Sequence, residues 1–325
     1  MAKYSIGIDL GGTKILAGII DMETGEVVYS SKKKTKKERG SEVITKKTVN
    51  IVKDLIEGSQ ISLDEIQSIG IGLAGQVDRE KGILLAAPNL DCYNVNFKNI
   101  LEEKFHKPTF IGNDVEVATV GELMFGAGKN HKNFVCIFVG TGVGSGIVID
   151  GKLFTGHTGT AGEIGHITVS LGGRGCGCGG NGCLEAYASR TAIEQKIRGA
   201  IKKGHQSIII DNVKEDGAIR SKHLQAALNA KDEVVLNCIT EAAEYLSSGL
   251  ASIINFLNPE LLIMGGGLID AVDFFYDLTK RKTIAKCLPT PSTKTAIQKA
   301  KLGDFSGVIG AALLGSYREE KWLVI

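Results

Sequence analysis

The sequence predicts an α/β protein of two domains, and three observations predict it. At 325 residues the chain is longer than the roughly 250–300 residues at which single cores stop growing. A glycine-turned plan of three strands occurs twice, about 129 residues apart, with Gly18-Ile19-Ile20-Asp21 answering Gly146-Ile147-Val148-Ile149-Asp150. Each copy is followed by segments that switch between helical and strand periodicity. The expected division is 1–118 plus 305–325 for the first domain and 119–304 for the second.

In the first copy, Tyr4 to Asp9 reads as a strand, Leu10-Gly11-Gly12-Thr13-Lys14 as a turn, and Ile15 to Ile20 and Val27-Val28-Tyr29 as two further strands. Glu42 to Ile56 has helical spacing, Ile66 to Leu73 reads as a strand, and Phe97 to Phe105 as a helix. Thr109-Phe110-Ile111 leads as a short strand to Gly112-Asn113-Asp114 and a helix ending near Phe125. In the second copy, Phe134 to Val139, Ile147 to Ile149 and Lys152 to Phe154 are the strands, with Gly140-Thr141-Gly142-Val143-Gly144-Ser145-Gly146 as the glycine turn. Arg190 to Lys203, His223 to Asn229 and Glu233 to Leu257 read as helices, and Leu261 to Met264 as a buried strand ending at Gly265-Gly266-Gly267. A last helix, Gly307 to Tyr317, is expected to return to the first half.

A formal net charge of +2, with 43% apolar and 23% charged residues, is ordinary for a globular chain and argues against disorder and generic polyanion binding. Glycine is the outlier at 42 residues, nearly twice the average share of about 7%, which points to turns and to close approach of backbone to ligand. No run approaches the roughly 18 apolar residues of a membrane helix, and the first five residues show no secretory apolar region, so the expected location is cytoplasmic with no membrane partner. The basic run Lys32-Lys33-Lys34-Thr35-Lys36-Lys37-Glu38-Arg39 has no accompanying aromatic platform. It reads as a solvated edge strand and loop rather than a nucleic-acid surface.

Asp9-Leu10-Gly11-Gly12-Thr13-Lys14 offers a carboxylate at a strand end, two open backbone N–H groups, a hydroxyl and an ammonium, which suits a metal–nucleotide phosphate. The alternative is a hairpin that needs glycine for positive φ. The second glycine turn at 140–146 favours two phosphate-gripping loops, and neither turn has the P-loop spacing. Asp114 fits two roles, an N-cap of the helix it precedes or a base that accepts a hydroxyl proton in phosphoryl transfer. Among seven cysteines, Cys176, Cys178 and Cys183 crowd together after His166 as H-x9-C-x-C-x4-C. Four such ligands interleaved with glycines are what a closed Cys3His zinc site in a reducing compartment requires. Glu163 and Glu185 flank those ligands.

Ile8-Asp9-Leu10-Gly11-Gly12-Thr13-Lys14, Gly112-Asn113-Asp114, Gly140-Thr141-Gly142-Val143-Gly144, Gly162-Glu163-Ile164-Gly165-His166 with the three cysteines, and Asn258-Pro259-Glu260 before Gly265-Gly266-Gly267 together resemble the ROK family of sugar kinases. Within it, the stretch Cys176 to Ser189 looks most like the ATP-dependent glucokinases. The resemblance implies an actin-like (ribonuclease-H-like, ASKHA) pair of α/β domains with an interdomain cleft, ATP with Mg2+ as donor, a structural Zn2+, and a homo-oligomer, dimer or tetramer. It implies that Asp114 takes the proton of the sugar 6-hydroxyl and that Asp9 orients Mg2+ through water. Gly75, Asn89, Asn113, Glu163, His166 and Glu185 would meet the sugar, and His166 would use its other nitrogen for zinc. Gly11, Gly12, Thr13, Lys14, Gly140, Thr141 and Gly142 would face phosphates, and Gly265, Gly266 and Gly267 the adenosine.

One departure is Ala74, where many members have proline, which puts the stiffness of that loop in question. Another is the helix start Val115-Glu116-Val117-Ala118-Thr119, less alanine-rich than is common. The function expected is phosphorylation of glucose to glucose 6-phosphate. The alternatives are another hexose or N-acetylhexosamine kinase and, from a different class, a sugar-responsive transcriptional repressor. The first strand begins within five residues of Met1, which speaks against the helix-turn-helix extension such repressors carry. Replacing Cys178 by Ser is expected to raise the sugar KM and to leave the ATP KM much less changed, because the phosphate loops lie elsewhere in the chain.

Overall fold

The computed structural model describes residues 3–35, 40–212, 217, 219–319 and 323–324. They fall into two compact units, Met1–Asn130 with Gly151–Phe154 and Asp304–Ile325, and His131–Asp150 with Thr155–Gly303. The division lies past the expected position 118, which falls inside the helix Asp114–Met124, and that helix stays whole in the first unit.

The first unit is built on strands β1 (Tyr4–Leu10), β2 (Lys14–Asp21), β3 (Val27–Lys34), β4 (Ile66–Leu73), β5 (Gln76–Asp78), β6 (Ile83–Ala87), β7 (Cys92–Asn96) and β8 (Thr109–Asn113). The main sheet has the order β3-β2-β1-β4-β8, and β5, β6 and β7 form a small separate sheet that the sequence reading missed. β1 and β2 are antiparallel, whereas β4 and β8 run parallel to β1. The central strands are covered on both faces, which is why β1, β2 and β4 read as nearly continuous apolar runs rather than alternating ones. On one face Ile6, Ile8 and Leu10 pack in one core with Ile44, Ile51, Val52 and Leu55 of helix α1 (Ser41–Gly58) and Phe97, Leu101 and Phe105 of helix α2 (Phe97–Phe105).

The opposite face is set by glycine. Gly7 of β1 alternates with Ile6 and Ile8, and a Cβ on it would run into the carbonyl oxygen of Val308. The C-terminal segment therefore does return to the first half, at a distance only small residues allow. It is not one helix but two, Ser306–Ala312 and Leu314–Glu319, and Gly315 of the second lies against Phe110 and Ser68. β3 is the sheet edge, with Lys32 and Lys34 exposed and Lys33 paired to Asp54 at 2.6 Å. The rest of the basic run, residues 36–39, lies outside the described residues.

The second unit repeats the hairpin. β9 (Phe134–Val139) and β10 (Val143–Ile149) are antiparallel with Val143 opposite Val139, and the strand Leu261–Gly265 joins β9 in parallel and Ala296–Lys299 in turn. Lys152–Phe154, the third strand of the repeat, belongs to the first unit, where it pairs with Leu323–Val324. The expected helices form at Arg190–Lys202, Ser221–Asn229 and Glu233–Leu257. The last of these is capped by Asp232, whose carboxylate accepts the Val235 N–H at 3.0 Å, and is closed by Asn258 at φ 48°. A further helix, outside those expected, forms at Asp273–Lys286, where Val272 before it provides no side-chain cap. No helix among the described residues is long and apolar enough to cross a membrane.

Candidate functional site

The expected site residues fall into two groups, one in each unit. In the first unit they gather at the carboxyl ends of the parallel strands. Pairing sets Asp9 opposite Gly72 and Gly72 opposite Gly112, so Asp9, the loop after β4 and the start of helix α3 (Asp114–Met124) lie side by side. The β1–β2 turn closes with the Gly11 N–H donating to Lys14 O at 3.0 Å. Neither Gly11 nor Gly12 has a left-handed φ, and a Cβ on Gly11 would meet only Lys14 O at 3.5 Å. The turn therefore does not demand glycine for φ, and what the glycines supply is open backbone. Asn89 lies against this turn, 3.4 Å from where a Gly12 Cβ would stand.

Asn113, not Asp114, is the N-cap. Its Oδ1 accepts the N–H groups of Val115 at 2.9 Å and Glu116 at 3.3 Å, while its Nδ2 reaches the carbonyl of Gly75 at 3.5 Å. Asp114 is the first helical residue, and its carboxyl is pushed up to about 7 by burial first and by the Asp9 charge second. The N–H groups at the helix start and the Glu116 charge act in opposite directions on it. Burial also raises Asp9, to about 6, against the pull of Lys14 and with the push of Asp304. The loop at Ala74 is tied without proline: its N–H, which proline would lack, donates to Leu10 O at 3.3 Å.

Three residues of this neighbourhood escaped the sequence reading. Asp304 takes the ammonium of Lys14 at 2.8 Å, and only the fold brings these distant positions together. Arg79, just past β5, grips both carboxylate oxygens of the buried Glu116 and so fixes the first turn of α3.

In the second unit the Gly140–Gly142 turn is held from two sides. Arg190 donates its N–H to Gly140 O at 2.9 Å and its guanidinium to Thr141 Oγ1 at 3.1 Å, and Thr191 Oγ1 donates to Thr141 O at 2.7 Å. From the other side Glu185 Oε2 accepts the Val143 N–H at 2.9 Å, and a side chain at Gly142 would collide with that carboxylate. A Cβ on Gly140 would meet no atom within 4 Å. Gly265 stands beside Phe138 at the end of β9, and Gly266 turns at φ 91° against the Val139 backbone.

His166, Cys176, Cys178 and Cys183 offer ligand atoms all within 4.8 Å of one another. Cys178 and Cys183 Sγ are 3.7 Å apart, and Cys176 Sγ is 3.7 Å from His166 Nδ1. A tetrahedron with Zn–S bonds of about 2.3 Å has S···S edges of about 3.8 Å, so the four residues fit zinc. The Cys176 N–H bonds Gly180 O at 2.8 Å and the Gly179 N–H bonds Cys176 O at 3.0 Å, folding the tight loop that gathers the thiols. Burial pushes the Cys183 thiol up to about 12, so a thiolate there calls for a cation beside it. With Nδ1 toward the cysteines, His166 Nε2 is left facing Glu163 Oε2 at 4.0 Å.

The His-Cys cluster is not remote from the second glycine turn. A Cβ on Gly165, next to His166, would strike the carbonyl of Val143, and Glu185, two residues past Cys183, bonds the N–H of the same residue. The expectation that loss of zinc leaves the ATP KM much less changed rests on sequence separation, and for the Gly140–Gly142 turn the fold removes that separation.

The sequence profile of the ROK family matches residues 5–317. A glucokinase of Thermotoga maritima is 33% identical over 308 residues, covering 94% of this chain and 95% of that protein. A xylose repressor of Caldicellulosiruptor bescii is 32% identical over 305 residues, covering 94% of this chain and 76% of its own length. The crystal structure of a ROK family glucokinase from Streptomyces griseus in complex with glucose and AMPPNP superposes with a TM-score of 0.83 at 32% identity, covering 95% of this chain and 98% of that one.

Proposed function

The chain belongs to the ROK family, and from that premise we propose that it is a sugar kinase that moves the terminal phosphoryl group of ATP to the 6-hydroxyl of a hexose, with glucose the first candidate. The observation that carries this reading is the state of Asp114. It sits in the first turn of α3, is relieved of capping by Asn113, and has a carboxyl pushed up to about 7. A base with that affinity for protons is matched to taking a hydroxyl proton near neutral pH, where an ordinary carboxylate is weak.

In this mechanism Asp114 accepts the proton of the attacking hydroxyl, and Asn113 and the Gly75 carbonyl it touches fix the sugar beside it. Loose phosphoryl transfer needs alignment more than covalent help, and the backbone at Gly11–Thr13 and Gly140–Gly142 supplies N–H groups for the phosphates. Asp9 would hold the water shell of Mg2+, which when bound neutralises charge on the transferred group. His166, Cys176, Cys178 and Cys183 would hold zinc, whose contribution is to fix Glu163, the free His166 nitrogen and Glu185.

The reading is supported by the similarity, across nearly the whole length of both chains, to proteins named glucokinase. It is tested by coupled ADP release over glucose, mannose, fructose, allose, N-acetylglucosamine and N-acetylmannosamine, with polyphosphate in place of ATP as a second donor. Turnover on glucose above the others is expected. Turnover on an acetamido sugar alone would move the substrate, and sugar binding with no turnover on any would favour the repressor-like reading.

A further inference from the structure

Resting on the kinase reading above, we propose that Glu185 is a positioning residue for the nucleotide as well as a group for the sugar, and that it carries information between them. The juxtaposition is on one carboxylate. Oε2 accepts the Val143 N–H at 2.9 Å, at the point where the Gly140–Gly142 turn enters β10, while Oε1 takes no hydrogen bond from the described residues. Gly142 has no side chain where one would collide with that carboxylate, so the turn and Glu185 are fitted to each other.

The other side of the turn is braced independently. Arg190 holds Gly140 O and Thr141 Oγ1, and Thr191 holds Thr141 O. Arg190 is itself anchored, to Ile219 O at 3.0 Å and to Glu194 at 3.6 Å, so it has no free arm for a second substrate. The two braces come from consecutive helices, Glu185–Ala188 and Arg190–Lys202, directly after the ligand Cys183. Glu185 alone has one oxygen on the turn and one to spare. A sugar hydroxyl that donates to Oε1 orders the carboxylate, and the ordered carboxylate holds Val143 and the turn in the shape that presents N–H groups to phosphate. By linkage, sugar then tightens nucleotide and nucleotide tightens sugar by the same factor.

The experiment is calorimetric binding of AMPPNP, with and without glucose, to the parent, Glu185→Ala, Glu185→Gln and Arg190→Ala, each shown folded by circular dichroism. Glu185→Ala is expected to weaken AMPPNP roughly tenfold with no sugar present, the scale of one charge-assisted hydrogen bond, and to abolish the tightening by glucose. Glu185→Gln, whose amide oxygen still accepts from Val143, is expected to restore AMPPNP affinity while glucose stays weakened. Arg190→Ala is expected to weaken AMPPNP yet keep the tightening by glucose. If Glu185→Ala does not fold, Glu185→Asp, one methylene short of the Val143 N–H, takes its place. Unchanged AMPPNP affinity in Glu185→Ala, with glucose alone weakened, overturns the proposal and leaves the kinase reading intact. A parent that binds no AMPPNP at all overturns both.

Discussion

Asn113 caps the helix that Asp114 begins, so the Asp114 carboxylate beside it is not the helix cap. An Asn-Asp pair before an apolar helix offers two candidates for one capping task. The geometry gives the task to the amide, which accepts two N–H groups at once.

Asp114→Asn is accordingly expected to lower kcat by at least about 10²- to 10⁴-fold, the usual worth of a general base, with sugar binding kept in part. It should also stabilise the protein. The folded carboxyl, at about 7 against an ordinary 3.8, holds its proton more tightly than the unfolded one. Its ionisation therefore opposes folding above pH 7, and the penalty fades as pH falls toward 4. Urea midpoints at pH 8 should be higher for the variant than for the parent and should converge near pH 4. A variant no more stable at pH 8 would mean that Asp114 is not strained by its surroundings.

As the base proposed above, the same group would set the pH dependence of the free enzyme. The kcat/KM for sugar is expected to fall as pH drops through about 7, where Asp114 takes up its proton, and to level off above. Asp9 contributes to that value through its charge, so Asp9→Asn should shift the Asp114 titration, followed by carboxyl NMR, to lower pH. A shift upward would contradict the arrangement described.

One zinc per chain is expected by elemental analysis, with X-ray absorption showing three sulfur neighbours at about 2.3 Å and one nitrogen at about 2.0 Å. Because Gly165 and Glu185 both press on Val143, Cys178→Ser should raise the KM for ATP together with that for sugar. A folded zinc-free variant with only the sugar KM raised would restore the view that the two are separate.

What was legible in the sequence was whatever chemistry writes locally. The two glycine-turned hairpins, the His-Cys spacing and the Asn-Asp step each occupy a few contiguous positions, and each lies at a strand end or loop as expected, except that the second turn is shorter than 140–146, because β10 begins at Val143. What stayed hidden depends on distant pairs. Nothing near Lys14 announces Asp304, and nothing near Arg79 announces Glu116. The sequence predicts one C-terminal helix, Gly307 to Tyr317, where the fold has two. The small residues of that segment answer to Gly7, Gly70 and Gly121, which no local window contains.

Those small residues give the last prediction, a contrast in sign between two identical substitutions. Gly310 lies in the helix Ser306–Ala312, where a Cβ would overlap the carbonyl oxygen of Val117 and approach Gly121 N at 2.9 Å. Backbone on α3 has no rotamer with which to yield, so the two helices must separate. Gly199 lies in the helix Arg190–Lys202, and a Cβ there would meet nothing within 4 Å. Gly310→Ala is therefore expected to destabilise by about 1–3 kcal/mol or more, as overpacking does, whereas Gly199→Ala should stabilise by about 0.5–1 kcal/mol through reduced freedom of the unfolded chain. Val117 is one turn from Asp114, so Gly310→Ala should also lower kcat, and Gly199→Ala should not. Equilibrium urea unfolding and steady-state kinetics on both variants measure this directly. Two changes of the same sign in stability would show that the close approach of Gly310 to Val117 is not what fixes the helix that carries Asp114.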